Sequence, residues 1–431
     1  MREMKNSGIE WIGEIPENWE ISKIKYNASF YNGDRGKNYP SGDDMVDEGI
    51  PFLTSNNIHG VRVDVSVDSS KFISAEKYAA LGGAKIQSDD IVYCLRGSVG
   101  NCAINKSIDC GTIASSLVAI RPIQINADFL NYLLHTNINY AQTTISMNGS
   151  CAANLSAENV SDFYIVKPSS SEQHLIVAFL DAKCAEIDTL TADIQMQIDT
   201  LEQYKRSVIT EAVTKGLNPD AEMKDSGNQY WGNIPADWHL SDIKYLFEIV
   251  KRIAGREGYD ILSVTQKGLK IKDISNNEGQ IAESYANYQF VYPGDFVMNH
   301  MDLLTGWVDC SELFGVTSPD YRVFRLRDRN NNLNYYKYIM QTCYMNRIFY
   351  SLGQGVSNLG RWRLQTSSFN NFKVPVPPIE EQMAIADYLN HVISETNSII
   401  ETKKNQLSTL EEYKKSVIYE YVTGKKEVTA Q

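Results

Sequence analysis

Two stretches of this chain carry apolar residues at helical spacing over a far greater length than any other run. Between positions 172 and 214 no proline or glycine intervenes. Ile187, Leu190, Ile194, Leu201, Tyr204 and Val208 recur there in steps of three, four or seven. Such a stripe lies on one face of a helix, and a helix this long needs a second helix to cover it. Positions 381–423 supply one, because the pattern returns about 209 positions later. Gln173 answers to Gln382, Ile176 to Ile385 and Leu180 to Leu389. Leu410, Tyr413 and Val417 answer to Leu201, Tyr204 and Val208. These residues are the expected seam of an antiparallel helix pair. Gln197 and Gln406 fall where the heptad wants an apolar residue. Either they set the register, or Ile198 and Leu407 carry the seam and leave both glutamines at its edge.

Outside the helices the apolar runs are short and bounded by turn residues, as in strands. They include 50–53, 90–95 and 115–120, then 260–264, 294–298 and 321–326, with one helical pattern at 129–136. A second repeat precedes each set. Met4-Lys5, Ser7-Gly8, Gly13, Ile15-Pro16, Trp19 and Ile24-Lys25-Tyr26 return as Met223-Lys224, Ser226-Gly227, Gly232, Ile234-Pro235, Trp238 and Ile243-Lys244-Tyr245. Prolines mark the exits, Pro168 before Glu172-Gln173 and Pro375-Val376-Pro377-Pro378 before Glu381-Gln382. Gly216 fits the C-cap of the first helix.

The chain therefore reads as one unit written twice. An opening motif spans 1–19, a first variable block 20–168 and a central long helix 169–215. A linker with the second opening motif follows at 216–238, then a second block at 239–375 and a C-terminal long helix at 376–424. The expected fold is α+β: two mixed blocks joined by two long antiparallel helices with pseudo-two-fold repetition.

Composition adds limits. At 431 residues and 43% hydrophobic, the chain can fill more than one core. Neither a signal core nor a run of about 18 apolar residues is read, so the expected setting is the cytoplasm. Seven scattered cysteines without a CxxC pair read as reduced thiols. No phosphate-binding lysine loop, cofactor turn or base-methylating motif stands out. Pro219-Asp220 with Glu222 and Lys224 echoes a nuclease set, but its acids are too close and it sits in a linker. Gly353-Gln354-Gly355 reads as a tight turn, and the isolated histidines, His59 and His300 among them, as ordinary side chains. No catalytic and no metal-binding residue is expected.

The doubled opening motif, the EQ-led helices and their closings, Tyr204-Lys205-Arg206-Ser207-Val208-Ile209 and Tyr413-Lys414-Lys415-Ser416-Val417-Ile418, resemble the DNA-specificity subunit of type I restriction–modification systems. The likeness covers essentially the whole chain. Gly294 to Asn299 and Ser318-Pro319-Asp320-Tyr321 look like one recurrent recognition subtype. Ser169-Ser170-Ser171 departs from the family's Pro-Pro exit, which bears on where the helix starts. The resemblance implies two target-recognition domains, each reading half of a bipartite site in double-stranded DNA, and helices that fix the spacer and dock two methyltransferase subunits. Two restriction and translocation subunits join them. The chain itself is then non-catalytic and cofactor-free, with S-adenosylmethionine, ATP and magnesium on the partners. Forty-three helical residues at ~1.5 Å each span ~64 Å, less than about 19 base pairs of duplex.

A net charge of -12, taken alone, argues against DNA binding. Its distribution answers the objection. Residues 239–373 hold 16 Lys and Arg against 13 Asp and Glu, whereas 20–166 hold 11 against 15 and 172–214 only 3 against 8. The acidity therefore lies largely on the helices, which face partners in this reading. Base contacts need exposed donors on loops. The candidates are Arg35, Lys37, Asn56, Asn57, Arg96, Ser98 and Asn148 in the first block. In the second they are Arg252, Arg256, Gln266, Lys267, Lys270, Asn299, Arg361 and Arg363, with Trp362 a core anchor or a stacking platform. The rival reading is a coiled-coil scaffold carrying two protein- or sugar-binding modules, which aromatic clefts or a large apolar patch would favour.

Overall fold

The computed structural model describes residues 2–58, 60–66, 68–147, 154–273, 284–355 and 362–428. It divides into two compact units, Met1–Ile194 with Asn405–Gln431, and Gln195–Lys404. The division runs through the long helices, so each unit holds one variable block and part of each helix.

The helices span Ser170–Lys215, 46 residues, and Ile379–Val422, 44 residues. The first begins within a residue of the expected start, where Ser169 Oγ accepts from the amide of Glu172 at 3.4 Å and takes the place of a proline exit. The helices give way to Gly216 and Gly424 at φ +74° and +71°, a left-handed conformation that costs glycine little. The pairing is antiparallel inside each unit. In the first, Phe179 meets Tyr421 at 4.3 Å between ring centroids, and nine residues on Asp188 meets Lys414 at 2.5 Å. In the second, Gln197 accepts from Lys403, and Lys205 donates to Asn397 at 3.1 Å.

A heptad row runs through Leu180, Cys184, Ile187, Thr191, Ile194, Ile198, Leu201, Lys205 and Val208, all buried or half-buried. Its counterpart includes Leu389, Thr396, Ile400, Leu407, Leu410, Lys414 and Val417. Ile198 is 5% exposed and Gln197 lies outside the row. The glutamines thus edge the seam. Leu190, Tyr204 and Tyr413 are 45%, 48% and 47% exposed and do not belong to it. The row tolerates threonine and lysine, whose aliphatic parts cover apolar surface, so apolar residues beside it imitated the seam.

The opening motifs are hairpins in matching register. Lys5 pairs with Ile15 and Lys224 with Ile234. Each hairpin delivers a wholly buried tryptophan, Trp19 or Trp238. The indole N–H groups donate to Glu172 at 2.9 Å and Glu381 at 2.7 Å. The neighbouring glutamines hold the blocks. Gln173 accepts from the amide of Asn126 at 2.7 Å and donates to the Pro168 carbonyl at 2.9 Å. Gln382 does the same with Asn332 at 3.0 Å and Pro377 at 3.1 Å. Both asparagines cap the helix that packs in their block, Ala127–Leu134 and Leu333–Met345. The Glu-Gln doublet therefore joins opening motif, block and exit at one helix end.

Each block is built on a four-stranded antiparallel sheet of one order. In the first block the strands run Ala28–Asn32, Leu117–Pro122, Ile91–Cys94, Cys102–Ile104. In the second they run Phe247–Val250, Arg322–Leu326, Phe296–Met298, Val308–Cys310. The outer layers differ. The first block adds a five-stranded sheet, in which Ile50–Leu53 and Gly111–Ile113 pair in parallel. The second adds two two-stranded antiparallel sheets, Leu262–Thr265 with Gly268–Ile271 and Gln289–Val291 with Gly315–Thr317.

Candidate nucleic-acid interface

The strands of the two blocks end in loops, and most of the expected donors stand there. Arg35 and Lys37 are exposed in the loop after Ala28–Asn32. Asp34 braces that loop, accepting from the amides of Gly36 at 2.6 Å and Gly82 at 2.9 Å. Those two amides hold its carboxyl below the usual range. Arg35 makes one long contact, 3.4 Å to the Ser115 carbonyl. Arg96 and Ser98 are exposed in the turn after Ile91–Cys94, where Arg96 pairs backbone to backbone with Asn154. Asn56 is exposed and reaches Ser69 at 3.3 Å.

In the second block Gln266 and Lys267 form an exposed hairpin tip, and Lys270 is exposed on its returning strand. Arg256 is exposed and donates to the Tyr259 hydroxyl at 2.7 Å. Arg363 is exposed on a short ribbon, exchanging backbone bonds with Gln354 at 2.9 and 3.1 Å. Among the described residues, Arg35, Lys37, Arg96, Lys267, Lys270 and Arg363 enter no ion pair. Asn148 and Arg361, with His59, lie outside the described residues.

Two expectations are overturned. Asn57 is 1% exposed, and its side chain is used within the fold. It accepts from the Thr54 amide at 2.9 Å and donates to Asp64 and Ser70 at 2.9 and 3.0 Å. A short polar side chain closing its own turn mimics a loop-tip donor in sequence. Arg252 pairs with the buried Asp295 and lies 4.8 Å over the Tyr292 ring, so its charge is taken. Asn299 is half-buried and caps a turn, accepting from the Met301 amide at 3.2 Å. Trp362 donates to the Tyr350 carbonyl at 2.7 Å, which anchors it to its own block.

The second block also shows what the sequence reading missed. Arg322 is 5% exposed and has no carboxylate partner among the described residues. An aromatic group also reaches the surface: Phe314 and Tyr292, 46% and 42% exposed, pack with Phe290 and Tyr259 at 4.9–6.1 Å between centroids. These rings are spread over 55 sequence positions, Tyr259 to Phe314, so no local motif announces them. Among the described residues no three His, Cys, Asp or Glu gather as a metal site, and no helix is long and apolar enough to cross a membrane.

Comparison with known proteins agrees with the doubled architecture. Residues 16–200 and 235–409 each match the type I restriction modification DNA specificity domain. The type I restriction enzyme MjaVIII specificity subunit of Methanocaldococcus jannaschii is 23% identical over 438 residues, 95% of this chain and 93% of that one. The EcoBI specificity subunit of Escherichia coli is 24% identical over 463 residues, covering 100% of this chain and 90% of its own. A solved chain from work on complex assembly and conformational transition of the type I R-M system shares the fold, with a TM-score of 0.67 at 14% identity. It covers 95% of this chain and 99% of its own length. With two matched segments that together span most of its length, the chain belongs to the type I restriction modification DNA specificity family.

Proposed function

We propose that this chain gives a type I restriction–modification complex its DNA sequence specificity. Each recognition block reads one half of a bipartite, asymmetric site, and the helix pair sets the spacing between halves. The repeated opening motifs and helices dock the methyltransferase subunits, and restriction subunits join that core in the cytoplasm. The chain does no chemistry of its own, and S-adenosylmethionine, ATP and magnesium belong to its partners.

One observation carries this reading. Two blocks with different loops and outer layers sit on one duplicated frame of tryptophan, Glu-Gln doublet and long helix. A frame held constant while its surface varies suits a reader of two unlike half-sites. The test is exchange of the second block, 239–375, with that of a related chain, followed by mapping of methylated sites. One half of the target is expected to change while the other stays. Retention of both halves would refute the reading.

The exposed aromatic group of the second block favours a second reading, a protein- or sugar-binding face. Among the described residues it occurs in that block alone, so it fits an added contact better than the function of the whole repeat.

A further inference from the structure

Among the described residues, one buried cation of the second unit, Arg322, meets no carboxylate. The Arg322 guanidinium lies 4.6 Å over the Phe369 ring. It donates through Nη2 to the Leu364 carbonyl at 3.1 Å and to Thr366 at 3.3 Å. Among the described residues Nη1 has no hydrogen-bond partner. Buried cations ordinarily meet a carboxylate, and even the half-buried Arg121 of the first unit meets Asp90 at 2.7 Å. Burial lowers the Arg322 value only to about 10, so the charge persists at neutral pH.

Leu364 ties this cation to its neighbours. Its amide donates to the His300 carbonyl at 3.0 Å. The His300 Nδ1 is buried and also without a partner among the described residues. Burial, then the charges of Arg322 and Arg363, hold that imidazole down at about 4, uncharged. Arg363 precedes Leu364 on the ribbon that Gln354 and Trp362 pin. Two like charges, one buried and one at the surface, thus act on the same imidazole. The one acid that acts on this histidine, Asp320, is exposed and makes no ion pair among the described residues.

We propose that Arg363, with the buried Arg322 behind it, receives a backbone phosphate of the DNA duplex. Arg363 makes the contact, and Arg322 is a positioning residue that fixes the ribbon and adds unscreened positive charge. A full negative charge answers an excess of cations better than the dipoles of a base edge. The inference rests on the DNA-reading function proposed above.

The experiment uses the assembled methyltransferase complex and its own target duplex, with affinity followed against salt. Arg363→Gln should lower the slope of log affinity against log salt by about one and weaken matched and mismatched sequences alike. Arg322→Met, in protein shown to be folded, should also lower the slope, and Arg322→Lys should restore it. A role in stability alone would leave that slope unmoved. An unchanged slope in folded Arg363→Gln overturns the proposal. So does a loss confined to one base pair, which would make Arg363 a base reader. Block exchange separates the two readings. If exchange alters a half-site while the slopes stay fixed, the phosphate site falls alone; if exchange alters nothing, the parent function falls.

Discussion

The Trp19–Glu172 bond of the first unit and the Trp238–Glu381 bond of the second differ by 0.2 Å, while the outer layers of the same units share neither strand number nor order. Even the surroundings of the tryptophans correspond: Trp19 meets Phe129 edge-on at 6.5 Å, and Trp238 meets Tyr335 at 6.4 Å. The difference is therefore confined to what lies beyond the four-stranded sheets. A duplicated frame can carry two unrelated reading surfaces because its hold on each block reuses the same contacts, an edge-on ring against the tryptophan and an asparagine cap on the glutamine. Asn126 and Asn332 present the same amide to Gln173 and Gln382 whatever loop precedes them.

The hardest test of that equivalence removes the tryptophans. Trp19→Ala and Trp238→Ala should each cost about 3–5 kcal/mol, because a fully buried ring is lost together with a bonded partner for a half-buried glutamate. Hydrogen exchange, read separately over the two units, should show losses of the same size in each. Costs that differ by several kcal/mol would mean that the two frames are alike in geometry and unlike in energy.

A smaller effect is expected at the glycines after the helices. A Cβ on Gly424 would stand 2.4 Å from Pro16 and 3.0 Å from Trp19, and one on Gly216 would stand 2.6 Å from Glu381. Both have positive φ. Alanine at either should destabilise its unit by about 1–3 kcal/mol. Gly424→Ala should be the worse, since proline and tryptophan yield less than a glutamate side chain. Thermal unfolding of the two variants would rank them.

Opposed histidines separate the units by pH. His135 of the first unit loses charge stabilisation to burial, but the Cys102 sulfur at 3.7 Å and the carbonyls of Asn131 at 2.8 Å and Gly60 at 3.2 Å outweigh that, raising it to about 9. Its stabilisation is full below about 6.5 and is lost as pH rises through about 9. His300, held down at about 4, contributes above about 6.5 and loses that contribution as pH falls toward 4. Each effect should amount to about 1–3 kcal/mol. Local stability by hydrogen exchange should fall in the first unit between pH 7 and about 9, and in the second between pH 6 and about 4. His135→Gln and His300→Gln should flatten the respective profiles.

The frame was legible in the sequence because it is written twice: hairpin, tryptophan, Glu-Gln doublet and long helix each recur at fixed offsets. What the doublet does was not legible, since Gln173 acts on Asn126, 47 positions away. The same distance problem hid the Arg252 partner, 43 positions along the chain, and made Asn57 look free when its bonds close its own turn. The seam was misplaced by one helical position at Leu190, Tyr204 and Tyr413, because an apolar count passes over lysines that pack by their stems. Most candidate donors proved exposed, as loop composition foretold. Which of them touches DNA depends on shape that loops do not encode locally.

Those seam lysines give the finest test of the comparison. Lys205 and Lys414 occupy equivalent positions, with equal side-chain exposure of 21%. Their partners differ. Lys414 crosses to Asp188 on the other helix, whereas Lys205 pairs with Glu202 on its own helix at 2.7 Å and, among the described residues, reaches only the neutral Asn397 across the seam. Methionine keeps the stem and removes the charge. Each substitution should change stability by less than about 1 kcal/mol, because the partner acids are exposed and water screens the pairs. The Lys414→Met effect should shrink more steeply with added salt, since it breaks a pair between helices and Lys205→Met breaks one within a helix. Denaturant unfolding of both variants at low and high salt would measure this. A loss of several kcal/mol from Lys414→Met that persists in salt would transfer the hold on the first unit's helices from the apolar row to that single charge.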